Sequence, residues 1–531
     1  MKEQIFYNGQ IITMEEDTYA EAVFTRYGMI QHVGTKEEVF THKTEKTEMI
    51  DLNGKTMLPS FIDPHSHLTA FATTLKLVPL HDAKSFADII SALQIFQESH
   101  SLKEGEWIIG FGYDNNDLME KKHPTKEVLD QVSTKHPIVI SHASGHMGVM
   151  NSPALQEIQI TSDTLNPEGG VIGRIDSSNE PNGYLEENAF IQNSAKIPQP
   201  SIEEVCQLID EAQNIYCSYG ITTAQEGIVN GKEFYLLKQM SDENRLKIDV
   251  IGYVDLKNSK DLADSNQRYR SYFNHFKIGG YKIFLDGSPQ GKTAWLTKPY
   301  GNEKDGYCGY PIYKDEEVQK FIQTALDEKM QLLTHCNGDA ACDQLINNFE
   351  TVLHERKDNQ SNRPVMIHAQ TVRYDQLVSM KQINMIPSFF IEHTYYWGDV
   401  HIKNLGMERA SRISPAKTAI ENGLCYTFHQ DTPVVVPDML HTIWCAVNRV
   451  TKAGVFIGEF EKISPLDALK GVTINAAYQY FEEDLKGSIK EGKHADFVIL
   501  NHNPLTVDSM MIKDITVLQT IKNGETIFKR D

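Results

Sequence analysis

The chain is poor in the features that mark secreted, membrane-spanning or nucleic-acid-binding proteins. Its seven cysteines, Cys206, Cys217, Cys308, Cys336, Cys342, Cys425 and Cys445, are odd in number, scattered and never spaced as CxxC. That excludes a disulfide framework and fits small apolar residues in a reducing compartment. No uninterrupted apolar run approaches the ~20 residues that a membrane-spanning helix needs. The opening MKEQIFYNGQIITMEED lacks the apolar stretch and small-residue cleavage site of a secretory signal, so a cytoplasmic location is expected. Positive charge is also scarce, with 51 basic against 72 acidic residues and a net charge of −21. Without a basic patch, that balance repels phosphate backbones and anionic membranes, leaving small molecules as expected partners and homo-oligomer formation open.

What is present describes a large folded protein. The 531 residues are 40% hydrophobic and 23% charged, within the range of globular chains. Residues 1–58 read as short strands: Ile5 to Tyr7 and Gln10 to Met14 around Asn8-Gly9 predict a hairpin, followed by Ala22 to Arg26, Met29 to Val33 and Met49 to Leu52. Residues 484–531 look alike, with Ala495 to Leu500 and a hairpin of Val517 to Ile521 and Glu525 to Phe528 about Asn523-Gly524. Neither end is long enough for a good core alone, so the two are expected to pair into one small β domain.

Between them, over residues 59–483, apolar runs alternate with amphipathic helical stretches, the pattern of an α/β protein with a parallel sheet. Eight candidate strands, the number of a (β/α)8 TIM-like barrel, lie at Pro59 to His67, Pro137 to His142, Gly220 to Gln225, Gly280 to Asp286, Gln331 to His335, Pro364 to His368, Met385 to Phe389 and Leu424 to Asp431. Ile248 to Val254 competes for one of these places. Ser201-Ile-Glu-Glu204 is a capping box for the helix that follows. The long interval between His67 and Pro137, and the Gly/Pro-rich stretch from Asn166 to Gly183, are expected to add structure near the site.

Chemistry concentrates at strand ends. In Phe61-Ile-Asp-Pro-His65-Ser-His67 an apolar run leads into two histidines, which at i and i+2 of a strand face one side and can share a cation. His335 and His368 each finish an apolar run with an imidazole suited to divalent zinc, manganese, iron or nickel. Asp431 ends Tyr426-Thr-Phe-His-Gln-Asp431, where a carboxylate can touch a metal and take a proton from water. His429 and Gln430 beside it either point away or line the pocket. Lys282 stands in a strand-like run; a carbamate formed on it with carbon dioxide could bridge two cations. A snorkelling lysine and an ion pair with Asp286 are the competing readings.

With these residues in view, the chain resembles the amidohydrolase superfamily, and more closely its amidohydrolase family 3 branch, which includes N-substituted formamide deformylases. The resemblance rests on Gly34, Leu52-Asn-Gly54, LPSFIDPHSH over residues 58–67, Gly145-His146, Lys282 to Ser288, His335 to Ala340, Ile367-His368, Gln430 to Val434, Thr473 to Ala477 and GSIKEGKHADFV over residues 487–498. It implies that His65 and His67 bind one metal, that His335 and His368 bind a second, and that Lys282 bridges them as a carbamate. It makes Asp431 both a ligand and the general base, and has His146 facing substrate. It further implies a small β-sandwich built from both termini beside the barrel, and one or two divalent metals per chain, zinc first among them. His429-Gln430 replaces the smaller residues usual before the aspartate. Tyr113-Asp114 and Gly183 to Glu186 resemble further branch motifs without an assigned role.

The expected function is hydrolysis of a non-peptide carbon–nitrogen bond in a small amide, a formamide or N-acyl amine first, by metal-activated water. Ring deaminases of the superfamily carry HxxE, whereas His335 is followed at the third position by Gly338. Ester or lactone cleavage at the same site, and a metal-lean binding protein without turnover, are the alternatives.

Overall fold

The computed structural model describes residues 2–100, 102–103, 105–142, 144, 146–301, 305–356 and 362–530. It divides into two compact units, one formed by Met1–Phe71 with Asp210–Asp531 and the other by Ala72–Ile209.

The first unit is organised around an eight-stranded parallel sheet in the order Thr427–Phe428, Ile386–Phe389, Val365–His368, Gln331–Cys336, Phe276–Phe284, Asp249–Asp255, Ile221–Val229 and Phe61–Ile62. Every neighbouring pair is parallel. Ile386–Phe389 and Val365–His368 are buried along their whole length, as a parallel sheet covered on both faces requires. Of its helices, Asp315–Asp327 buries one stripe, Val318, Ile322, Ala325 and Leu326, at helical spacing. The sheet curls so that segments beyond its two outermost strands meet. The Asp431 N–H donates to the His65 carbonyl at 3.3 Å, and the His67 N–H to the Thr432 carbonyl at 2.8 Å.

One expected strand lies elsewhere. Ile138–His142 joins the sheet of the second unit, between Ile108–Tyr113 and Met147–Met150, and the competing run takes the eighth place as Asp249–Asp255. Composition could not separate two equally apolar runs; the partners available on each side decided.

Both ends of the chain contribute to a second eight-stranded sheet in the first unit. Thr56–Pro59 pairs with Glu3–Ile12 on one side and antiparallel with Phe497–Leu500 on the other. The hairpin at Asn523-Gly524 forms as expected, both residues having positive φ. The one expected at Asn8-Gly9 does not. Glu3–Ile12 is a single ten-residue strand, and Asn8, at φ 58°, sits in a bulge where the pairing with Tyr19–Arg26 shifts register. A Cβ on Gly9 would stand 2.6 Å from the Leu52 Cβ, so close packing, and not a turn, selects glycine there. After Thr56–Pro59 the chain passes directly into the parallel sheet at Phe61, with the Ser60 and Thr222 hydroxyls 2.6 Å apart at the crossing.

The second unit holds a six-stranded mixed sheet, in the order Gly170–Arg174, Pro181–Glu187, Met147–Met150, Ile138–His142, Ile108–Tyr113 and Leu77–Pro79. Its apolar core includes Leu80, Ile89, Leu93, Ile108, Leu129 and Ile140. The interval between His67 and Pro137 thus adds structure as part of a body with its own sheet and core. Among the described residues, no helix is long and apolar enough to cross a membrane.

Candidate metal centre

His65 and His67 lie just past the end of Phe61–Ile62 and not on the strand itself, His65 in a bend and His67 in an isolated bridge with Glu226. They converge because neighbours hold each ring. Gln225 donates its amide to the Pro64 carbonyl at 2.7 Å and to Tyr480 at 3.0 Å, so its Oε1 accepts from His65 Nδ1–H at 2.6 Å. That fixes the tautomer and leaves the His65 Nε2 lone pair facing the site. His67 Nδ1 stands 3.7 Å from Glu226 Oε1. Both Nε2 atoms then point at Asp431 Oδ1, from 3.3 Å and 3.4 Å. Asp431 lies beyond Thr427–Phe428 with φ 55°, a left-handed conformation uncommon for a non-glycine residue and enriched at functional sites.

His335, within Gln331–Cys336, and His368, ending Val365–His368, form a second pair, with His335 Nδ1 and His368 Nε2 3.0 Å apart. His335 Nε2 lies 3.2 Å from the Gly287 carbonyl. A proton there leaves Nδ1 as a lone pair toward the site. His368 Nε2 is 4.0 Å from Asp431 Oδ2, so the aspartate stands between the two histidine pairs. Lys282 Nζ is 3.4 Å from His65 Nε2, on a side chain 1% exposed. It neither snorkels nor pairs with Asp286. Asp286 accepts backbone N–H groups of Asn337 at 2.9 Å, Gly338 at 2.7 Å and Trp295 at 2.9 Å, fastening two loops to the strand end.

A sequence profile of the Amidohydrolase family matches residues 48–528. The chain belongs to the amidohydrolase family. This amidohydrolase is 26% identical to the putative amidohydrolase YtcJ of Bacillus subtilis, over 99% of both chains. It is 25% identical to the N-substituted formamide deformylase of Arthrobacter pascens, over 100% of this chain and 99% of that one. Its fold is also that of an uncharacterized metal-dependent hydrolase from Pyrococcus furiosus, with a TM-score of 0.75 and 24% identity over 95% of this chain and 100% of the other.

The donor set of the amidohydrolase fits a divalent cation. Ligand atoms of His65, His67 and Asp431 all lie within 4.8 Å of one another, and the buried Asp431 Oδ1 has no hydrogen-bond partner. A lone pair on His65 Nε2 aimed at a carboxylate oxygen is repulsive unless something positive sits between them. Electrostatics agree. Burial pulls the Lys282 ammonium down to about 7 against the opposing pull of Asp431. It also holds His65 and His368 well below the usual imidazole value and brings His335 to about 4. Those three imidazoles are neutral and ready to ligate. Burial opposes protonation of His67 too, but Asp431 and Glu226 outweigh it and raise the group to about 9.

The structure thus brings His65, His67, Lys282, His335, His368 and Asp431 together. His146 belongs to the second unit, exposed and paired through Nδ1 with Glu187 at 3.0 Å; Gly145 lies outside the described residues. Tyr113, Asp114 and Glu186 share that unit, where Tyr113 pairs with His123 at 2.9 Å, Asp114 with His142 at 3.4 Å and Glu186 with Tyr184 at 3.1 Å. Two positioning residues escaped sequence reasoning, Gln225 and Glu226. Both are buried polar residues within the run Ile221–Val229, the same signal that singled out the histidines. His429 is turned inward, with Nε2 3.1 Å from His368 Nδ1 and Nδ1 2.9 Å from the Ser388 hydroxyl.

Proposed function

We propose that this amidohydrolase cleaves a non-peptide carbon–nitrogen bond of a small amide, with a formamide or N-acyl amine as the first substrate class. The observation that carries the reading is the unpartnered Asp431 carboxylate faced by two histidine Nε2 atoms. His65, His67 and Asp431 would hold one divalent metal, zinc first among candidates, and His335 with His368 a second, with a Lys282 carbamate between them. The metal would supply Lewis acidity to the scissile carbonyl and lower the pKa of water.

The residues supply the rest. Burial opposes ionisation of Asp431, but the neighbouring His67 outweighs it and keeps its pKa below the usual carboxylate value, so it is charged and able to accept the proton of the attacking water. Its central position among four imidazoles lets it return that proton to the departing amine. Gln225 and Glu226 keep the two histidine rings oriented. His146 would contact substrate. In the same reading the parallel sheet closes as a (β/α)8 barrel, the terminal sheet folds over as a sandwich, and the protein works in the cytoplasm on a small molecule.

The test is a panel of N-substituted formamides, N-acyl amines and matched esters, assayed on protein stripped with chelator and then reloaded with zinc. Amide turnover restored by metal is the expected result. Ester turnover alone would move the substrate class, and a metal-loaded protein inert to the whole panel would overturn hydrolysis.

A further inference from the structure

A second group of metal-ligating side chains lies in the first unit, outside the ligand set above. Glu392 follows the strand Ile386–Phe389 by three residues. It is 1% exposed, and its Oε2 is buried without a hydrogen-bond partner. Its Oε1 is in short contact with His441 Nδ1. His441 and Cys445 stand at i and i+4 of the helix Met439–Asn448, hence on one face. Cys445 is fully buried, with Sγ 3.8 Å from the same His441 Nδ1. The three donor atoms lie within 4.8 Å of one another.

We propose that Glu392, His441 and Cys445 form a further cation site, selective for zinc or a zinc-like divalent ion. One oxygen, one nitrogen and one sulfur donor match the ligand range of zinc and exclude magnesium and calcium, which take oxygen shells. With Zn–S at about 2.3 Å and Zn–N at about 2.0–2.1 Å, a tetrahedral ion separates sulfur from nitrogen by about 3.6 Å, close to the spacing observed. Charge argues the same way. Burial first, and second repulsion from the nearby Asp438 carboxylate, which caps the helix by accepting from the Leu440 and His441 N–H groups, disfavour the charge on Glu392 and push its carboxyl well above the usual value. A cation relieves that repulsion. Binding releases two protons to solvent, the one shared by Glu392 and His441 and the one on the thiol. Tyr395 and Trp444 wall the imidazole at 5.0 Å and 5.5 Å between ring centres, fixing its orientation. Three ligands leave the fourth position open to water or a small anion.

The test separates this site from the first, because of the two groups of metal-ligating side chains among the described residues this one holds a cysteine and the other does not. The full chain is loaded with cobalt(II) and its near-ultraviolet spectrum followed for a thiolate-to-cobalt charge-transfer band, with zinc per chain measured in parallel. The expected band persists in His67→Ala and disappears in Cys445→Ala, with zinc falling by one ion per chain. Glu392→Gln, which keeps the side-chain volume, is expected to lose the same ion and covers the case in which the cysteine variant does not fold. Absence of the band from the wild-type protein, or a band and zinc content unchanged by either variant, would overturn the proposal.

Discussion

Two buried polar clusters in the same unit show opposite electrostatics. Around Asp249, charges are matched. Its carboxylate takes Lys522 at 2.8 Å and His275 at 2.7 Å and also contacts Lys486, which reaches Glu482 at 3.0 Å. Burial opposes the charge on Asp249, but Lys486 and Lys522 overcome it and hold the carboxyl well below its usual range. At the histidine site, burial wins at His65, His335 and His368, which stay neutral beside a lysine brought down to about 7 and an unpartnered carboxylate oxygen, while Asp431 and Glu226 raise His67. The first cluster ties the terminal strand Val517–Lys522 and the segment around Lys486 to the parallel sheet strand Asp249–Asp255. The second keeps a buried carboxylate oxygen without a partner, the setting that the proposed cation would complete. Buried polarity marks function where it is left unbalanced, and architecture where it is paired.

Breaking each cluster should therefore have different consequences. Asp431→Asn is expected to lower kcat by roughly 10²–10⁴-fold, the usual worth of a general base, while the melting temperature of the metal-free protein stays near wild type; kinetics and thermal unfolding on one preparation check both. Asp249→Ala should do the reverse. Leaving Lys486 and Lys522 buried without their anion costs about 3–5 kcal/mol in denaturant unfolding, with activity per folded molecule unchanged. Gln225→Leu, which removes the acceptor that orients His65, should weaken metal affinity by about 10–100-fold, as loss of an outer-sphere partner does. Competition with a chromophoric chelator measures it.

The smallest effect concerns pH. Asp249 and Glu482 have depressed values in the folded state, so their stabilisation is fully present above the unfolded values of about 4 and lost as pH falls through the folded ones. Denaturant midpoints should begin to fall as pH drops through about 6.5, where the unfolded chain takes up protons that the buried His335 and His368 do not, and should decline further below about 5 as the two carboxylates lose their partners. The decline should be shallower in Asp249→Asn, and an unaltered slope there would contradict the role given to that carboxylate.

Much of the site was legible because ligands recur at the ends of apolar runs. His335, His368 and Asp431 were each found that way, and His65 and His67 by their spacing. The reason for that last convergence was not legible. The two histidines follow the strand instead of riding on it, and their orientation comes from Gln225 and Glu226, more than 150 residues away in sequence. Fold reading failed where local pattern was ambiguous. Ile138–His142 and Asp249–Asp255 are equally strand-like, and only their partners place them in different sheets. Asn8-Gly9 has the letters of a tight turn, yet the packing of Leu52 against Gly9 keeps the strand running through it.

The passage of one chain segment from the terminal sheet into the parallel sheet at Ser60 has a consequence for biosynthesis. Thr56–Pro59, which leads into the first histidine pair, is held on one side by Phe497–Leu500, a strand the ribosome delivers more than four hundred residues after His67. The first histidine pair therefore emerges long before the strand that completes the sheet leading into it. Until that strand arrives, a nascent chain holds His65 and His67 on an incomplete framework, so ordering of this pair waits on a distant part of the chain.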